Sequence, residues 1–498
     1  MKKLFFGLTL LILIIIGGAY TLAFTPMGNG IVASMIEDKA NEQPNVNFKV
    51  EKFVLTTSDI SFHANVDNNS YIKVDGKLAL LAKEFDLTYD VDVKDLAKLK
   101  KLTNADLRGN FITKGTVKGN EKLLNVVGTS DVFASVTNYS AKLVDFEPSD
   151  VIFNVKNASI EKLLYTVNQP QYATGKININ GSLKDMAGQI KTDITNGKVN
   201  NPIVNKAFNQ KLVKPLLFKG NVVTDLTKKQ AVSKVDFFTT MANVFVKKAV
   251  FNLQDGSLNS DYLVKVDDMS KLYDVSQMKM RGKIALNGTV KKAKDLAVTG
   301  VSQLFGGALN FKLYNNDFTS TIKKVQLVKV LHMLYYPEVF TSSTDLSVNY
   351  NLLSQKGVVE GDLINGHFLP NEYSTLLKTV AQFDLTKEVY ETVKLKSDIN
   401  KEIIKSTVDM KSKLTQIKVP RSTLDTKKQT IDALVQTNLK GIEFDTEVTG
   451  KLSNPKVKMD TSKLVKAAAV KKVKEKVEKE IEKKLGDKAG GLLKGLFQ

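Results

Sequence analysis

A chain of 498 residues is long enough for about three ordinary domains or for one body built from repeats. Hydrophobic content of 43% and charged content of 25% exclude global disorder, and the absence of cysteine excludes disulfides, thiolate nucleophiles and Cys-based metal centres. The formal charge of +20 is spread along the chain without a recognition-helix pattern or an aromatic stacking motif. That argues against nucleic acid and leaves two readings: lysine-rich solvated strand faces, or attraction to an anionic membrane surface.

Leu4 to Phe24 carries no charge and is long enough to cross a hydrocarbon core of about 30 Å as a helix. Lys2 and Lys3 precede it and the next basic residue is Lys39, so the N-terminus is expected in the cytoplasm and the body beyond Pro26 on the far side. The rival reading is a signal peptide cleaved near Thr21-Leu22-Ala23. Secretory apolar cores of roughly 7 to 15 residues are shorter than this run, which favours a retained anchor over residues 1–25. Either way the body is exported.

Between Asn45 and Asp460 the pattern has period two. Phe85, Leu87, Tyr89, Val91 and Val93 fall on one side of a strand, and Asp86, Thr88, Asp90 and Asp92 on the other. Ile72, Val74, Leu78 and Leu80 alternate in the same way, as do Ile177 with Ile179, Ile284 with Leu286, and Val457 with Met459. Turn residues interrupt these runs every 8 to 12 positions or so, the spacing of antiparallel strands with short connections. Gly306-Gly307 reads as one such hairpin turn.

Alternating runs repeatedly end in a short amphipathic segment of the form apolar-x-Lys-apolar, as in Leu96–Leu99, Ile160–Leu163, Met269–Leu272, Leu327–Val330 and Thr461–Leu464. Taken at Leu99, Leu163, Leu272, Val330 and Leu464, the intervals are 64, 109, 58 and 134 residues, one or two units of some 55 to 67. Such self-similarity points to stacked supersecondary units. Glycine-led strands recur as INGSLKD at Gly181, LNGTVKK at Gly288 and VTGKLSNPKVKMD at Gly450. The expected fold is mostly β: an elongated, curved antiparallel sheet or groove over residues 26–460, of about 25 to 35 strands at about 4.8 Å each. From Thr461 the period turns helical, with Val470, Val473, Val477, Ile481 and Leu485 on one stripe among lysines. Residues 461–498 are therefore expected as a basic amphipathic helix and tail, with Asp460 or Thr461 as N-cap.

Chemistry is sparse. His63, His332 and His367 lie far apart without metal-ligand spacing, and G-x-S-x-G, P-loop and Rossmann motifs are absent. Asp90, Asp92 and Asp95 lack the Gly and Glu of a calcium loop. No enzymatic activity, cofactor or metal is expected. An open apolar strand face must nevertheless be covered by something, whether protein or acyl chains.

The N-terminal anchor, the body of glycine-led strands and the block VTGKLSNPKVKMD, followed by a basic helix and GGLLKGLF, resemble the bacterial AsmA-like proteins. Gly450, Leu452, Asn454, Pro455 and Asp460 carry the match, while Lys451 stands where the family usually has Thr. The resemblance implies an inner-membrane anchor at Leu4–Phe24, a periplasmic body, and a repeating β-groove of the lipid-transfer type. Its function would be phospholipid movement in support of outer-membrane lipid homeostasis. Phe85, Leu87, Tyr89, Val91, Ile177, Ile179, Ile284, Leu286, Val457 and Met459 would line the groove; their other role is packed sheet core. An Asn-Pro turn at 454–455 would close the last hairpin, and the helix behind it would close the groove's end or meet an envelope protein partner. The alternative is a membrane-tethered scaffold that assembles other envelope proteins, its apolar faces packed shut.

Overall fold

The computed structural model describes residues 24–42, 47–66, 69–79, 82–99, 105–466, 469 and 475. The anchor run up to Ala23, and almost all of the C-terminal segment beyond Lys466, lie outside the described residues. No described helix is long and apolar enough to cross a membrane. Among the described residues there are twenty-six strands, and the chain divides into two compact units, residues up to Val264 with Asp274–Gln277, and Lys265–Tyr273 with Met278 onward.

The first unit opens with α1 (Pro26–Asn41), an element the period-two reading passed over. Thr25 caps it by accepting from the Gly28 N–H, and Pro26 sits in the first turn, where no N–H is missed. There follow β1 (Phe48–Leu55), β2 (Asp59–Val66), β3 (Ser70–Ala79), β4 (Glu84–Val93), β5 (Phe111–Asn120), β6 (Leu123–Ser130), β7 (Val136–Val144) and β8 (Glu147–Ser159). Next come α2 (Ile160–Thr166), β9 (Ala173–Lys184), β10 (Ala187–Val199), α3 (Asn201–Phe208), β11 (Leu217–Leu226), β12 (Gln230–Thr239), β13 (Asn243–Asn252) and β14 (Leu258–Val266), with α4 (Tyr273–Ser276) beyond. From β1 to β13 each strand pairs antiparallel with its successor, an open meander.

In the second unit the strands are β15 (Ile284–Lys292), β16 (Leu296–Leu304), β17 (Gly307–Tyr314), β18 (Asp317–Gln326), β19 (Phe340–Asn351) and β20 (Lys356–Phe368), with α5 (Leu327–Met333) after β18 and α6 (Glu372–Ala381) after β20. β21 (Tyr390–Asn400), β22 (Ile403–Lys411), β23 (Thr415–Asp425), β24 (Thr430–Leu439), β25 (Ile442–Lys451) and β26 (Asn454–Met459) complete it, again each paired with the next. The antiparallel, mostly β architecture read from alternation is present.

One regularity organises both meanders. Every described helical connection follows an even-numbered strand, and every odd-to-even connection is a short turn. Alternate strands of a meander run the same way, so within each unit the described helical connections gather at one rim, together with short turns such as those after β12, β16, β22 and β24, while the other rim holds short turns alone. The five apolar-x-Lys-apolar segments all fall on this helical side, directly after β4, β8, β14, β18 and β26. The glycine-led segments at Gly181, Gly288 and Gly450 all lie on odd strands and run into hairpins. One detail differs from expectation: the last turn is Leu452-Ser453, and Asn454 and Pro455 already belong to β26, with Pro455 opposite Gly450. At the end of the last strand Pro455 forfeits little by lacking an N–H.

A bulge prepares four of these rim crossings. Asn157 in β8, Asn196 in β10, Lys324 in β18 and Asn365 in β20 have φ near 50–56° and interrupt the register a few residues before a helix begins. An extra residue in a left-handed conformation turns the strand out of the ladder.

Two cores result. In the first unit Val32 and Ile36 of α1 pack on Phe53, Leu55, Phe62, Leu87 and their neighbours in β1–β7. α1 also covers the free edge of β1: Asn29 bonds both the N–H and C=O of Leu55, Asn41 both those of Phe48, and Glu37 accepts from Val50. In the second unit Tyr373 and Leu377 of α6, with Phe383, Leu385 and Leu464, pack on Tyr390, Val393, Ile417, Leu439 and Phe444. Leu464 belongs to the helical turn after Asp460, whose carboxylate accepts from the N–H and hydroxyl of Ser462, so the C-terminal helix begins where the sequence places it.

Candidate functional site

Directly opposed residues in neighbouring strands point to the same side of a sheet, so register assigns faces. Val91 of β4 opposes Thr113, which opposes Ser130, then Thr137, Val155 and Ile179. The same row continues through Thr192, Val222, Val235 and Val246. Phe85, Leu87, Tyr89, Val91, Ile177 and Ile179 therefore share one face of the first unit, called here the inner face. In the second unit Ile284 and Leu286 lie on the face of Gly288, Gly300 and Phe311, whose ladder runs on to Val348 and Val359. Val457 opposes Val448 and Met459 opposes Thr446, on the side that holds Val435 and Ile417.

The ten residues nevertheless sit in two environments. Phe85, Leu87, Tyr89 and Val91 are 5, 3, 8 and 9% exposed in the core under α1, which is the packed-core alternative for those four. Ile177, Ile179, Ile284, Leu286 and Val457 are half-buried and belong to neither core, and Met459 is half-buried at the margin of the second. Val222, Val235 and Val246, with Ile190 and Ile194, extend the half-buried strip over β9–β13. Sequence reading missed these three because Val222-Val223 and Phe237-Phe238 put apolar groups on both faces and blur the alternation.

The floor of the strip is built from aromatics lying over glycines. Phe153 opposes Gly181, Phe218 opposes Gly197 and Phe237 opposes Gly220. A methyl at Gly181 or Gly197 would come within 2.1 or 2.3 Å of those rings, so each ring occupies the volume a side chain would take. The rings of Phe218 and Phe237 lie 5.4 Å apart between centroids, tilted by 31°. The same device occurs in the closed region, where Tyr89, Gly115, Gly128 and Tyr139 are consecutive partners across four strands. There the two tyrosine hydroxyls meet above the glycines and hydrogen-bond to each other, and Thr113 bonds Tyr139. Burial raises the Tyr89 hydroxyl far above its usual pKa, so it remains neutral.

In the second unit the inner face is closed toward the helical rim and opens away from it. Tyr390 and Val393 of β21 are fully buried, while Leu395 two residues on is half-buried. Tyr390, pushed up to about 12 by burial, bonds Thr415 at 2.7 Å, and Tyr373 bonds Thr437. Past this plug a cavity of about 550 Å³ is bounded by Gly361, Leu395, Val408 and Val419, together with the charged Asp362, Lys394, Asp409 and Lys418 that alternate with them.

The opposite face carries ion pairs near β4 and β5, and exposed apolar side chains farther along it, among them Leu123, Val127, Val144 and Ile152. Asp86–Lys118 at 3.1 Å, Asp90–Lys114 at 3.0 Å and Lys83–Glu121 at 2.8 Å bridge neighbouring strands. Exposed pairs of this kind contribute little to stability, but they keep that part of the face in water. No group of three or more His, Cys, Asp or Glu placed to hold a metal occurs among the described residues. His63 contacts Asp75 at 2.8 Å, and Ser61 donates to the same carboxylate at 2.6 Å, so both bonds end on Asp75. Comparison with protein-family models, with curated proteins and with solved structures found no match.

Proposed function

We propose that this chain is a non-enzymatic lipid-binding or lipid-conducting protein of the AsmA-like type, whose inner strand face receives phospholipid acyl chains. The observation that carries the reading is the half-buried apolar strip of β9–β13, where Ile179, Val222, Val235 and Val246 follow one another in register. Acyl chains laid on such a floor would leave water at about 0.8 kcal/mol per buried CH₂, while head groups stay with the polar rim. Flat-lying Phe153, Phe218 and Phe237 favour a slab-like ligand over one that needs a deep socket. The proposal includes Leu4–Phe24 as an inner-membrane anchor with the body in the periplasm, and a role in outer-membrane lipid homeostasis. Phe24 supports the anchoring geometry, since it packs against the core under α1 and leaves no linker between anchor and body.

The test is photo-cross-linking in the full chain in cells. A photoreactive side chain at Ile179 or Val235 should capture phospholipid, and one at Lys191 or Lys234, on the opposite face, should not. Equal capture on both faces, or none at Ile179 and Val235, would sink the reading. The scaffold alternative draws on the closed cores under α1 and α6, and capture of an envelope protein instead of lipid at the strip would favour it.

A further inference from the structure

The geometry points to a separate lipid contact on the first unit: the rim loop 208–217, between α3 and β11, docks onto the surface of an anionic bilayer. Val213 at the tip is 81% exposed, and it is flanked by Phe208 at the end of α3, 59% exposed with its ring beside Tyr172, and by Leu217 at the start of β11, 48% exposed. The tip is held in that position. Asn205 accepts from the Leu212 N–H at 2.8 Å and donates to its carbonyl at 3.0 Å, while Asn201 donates to the Lys214 carbonyl at 2.9 Å. Asp274 of α4 accepts from the N–H groups of Val213 and Lys214 at 3.1 and 2.8 Å. These bonds bury Leu212 and turn its neighbour Val213 outward. A loop fixed by three polar side chains so that an aliphatic tip faces solvent is built for a partner that takes apolar groups.

Charge identifies that partner. Residues 201–218 contain Lys206, Lys211 and Lys214 and no acidic residue. The nearby Asp274 carboxylate is engaged by two backbone N–H groups. Separate apolar tips among lysines match a headgroup layer, where tips enter the acyl boundary and lysines meet anionic phosphates. The docking surface is distinct from the inner strip and does not require it.

Because the chain has no cysteine, a single Cys carrying an environment-sensitive dye reports one position. In the full chain reconstituted with vesicles of phosphatidylcholine and phosphatidylglycerol, the dye at Val213→Cys should shift to the blue and be quenched by brominated acyl chains. At Val127→Cys, 55% exposed on the opposite face of β6, it should remain water-like. Lys211→Glu with Lys214→Glu should abolish most of the insertion, since each basic residue near an anionic surface changes partitioning roughly fivefold. Water-like emission at Val213, equal quenching at Val127, or insertion indifferent to phosphatidylglycerol would each overturn the inference. A blue shift without quenching by lipid would overturn it too, as burial in protein. Loss of acyl cross-linking at Ile179 with quenching at Val213 retained would defeat the groove and leave the docking loop standing.

Discussion

β1–β7 and β9–β13 of the first unit carry the same face of the same meander and meet different ends. In β1–β7 the apolar row is buried in one core, which Val32 and Ile36 of α1 join from the β1 edge, and Tyr89 and Tyr139 meet across Gly115 and Gly128. In β9–β13 the row continues in register, with rings over glycines again, and its side chains stay half-exposed. Alternation is common to both and decides nothing about cover. What decides is whether another segment brings apolar groups and edge-satisfying polar ones to the face, as Val32, Ile36, Asn29 and Asn41 do. The second unit repeats the contrast along its strands, plugged by α6 at Tyr390 and Val393 and open at Leu395.

The contrast breaks most visibly under charge. Leu87→Asp places a carboxylate in the closed core and should cost on the order of 4 kcal/mol or more, unfolding the first unit in a thermal melt. Ile179→Asp, on the open strip, should cost about 1 kcal/mol and leave circular dichroism intact. Equal losses would mean that the strip is as closed as the core. Loosening the helix from the core comes next: Ile36→Ala should cost about 2 to 5 kcal/mol, measured by denaturant unfolding, although Ile36 lies outside the sheet. The glycines sharpen the comparison further. A methyl at Gly128 meets the hydroxyls of Tyr89 and Tyr139 at 2.4 and 2.6 Å, and those two hydroxyls are bonded to each other. Gly128→Ala should cost about 1 to 3 kcal/mol by overpacking. Gly181→Ala crowds only Phe153, which can tilt into the open strip, so its cost should be distinctly smaller in the same assay.

Much of this was legible in the residues. Alternation located β4, β9, β15 and β26 and put their candidate residues on common faces, because a strand face is a local property. The apolar-x-Lys-apolar segments marked the helical rim because each must leave a strand and start a turn within a few residues. Cover was not legible, since it depends on contacts distant in sequence, such as Ile36 with the strands. Turn chemistry is a poor guide here in both directions. Asn-Gly at 196–197 and 365–366 is a strong hairpin signal, yet both pairs form bulges inside β10 and β20. The true hairpins at Asp145-Phe146 and Asp185-Met186 have positive φ at both residues without any glycine. The register of two long antiparallel strands overrode local preference at these sites.

The bulges yield the smallest effect and the finest comparison. Asn157 in the first unit and Lys324 in the second each leave a backbone N–H that the next strand satisfies, Asn178 accepting the first at 2.8 Å and Asp345 the second at 2.8 Å. Only the second acceptor titrates. The Lys324 N–H, and then the Lys323 ammonium at 3.1 Å, hold the Asp345 carboxyl below its usual range. A depressed folded-state pKa means a contribution that is fully present above the unfolded value of about 4 and disappears as pH falls through the lower folded value. Amide exchange protection at Lys324 should therefore drop on acidification below about pH 4 while protection at Asn157 holds, and Asp345→Asn should remove the difference. A parallel fall at both amides would mean that acid loosens the strands generally and that the two bulges are held by their ladders, not by the side chain that faces each one.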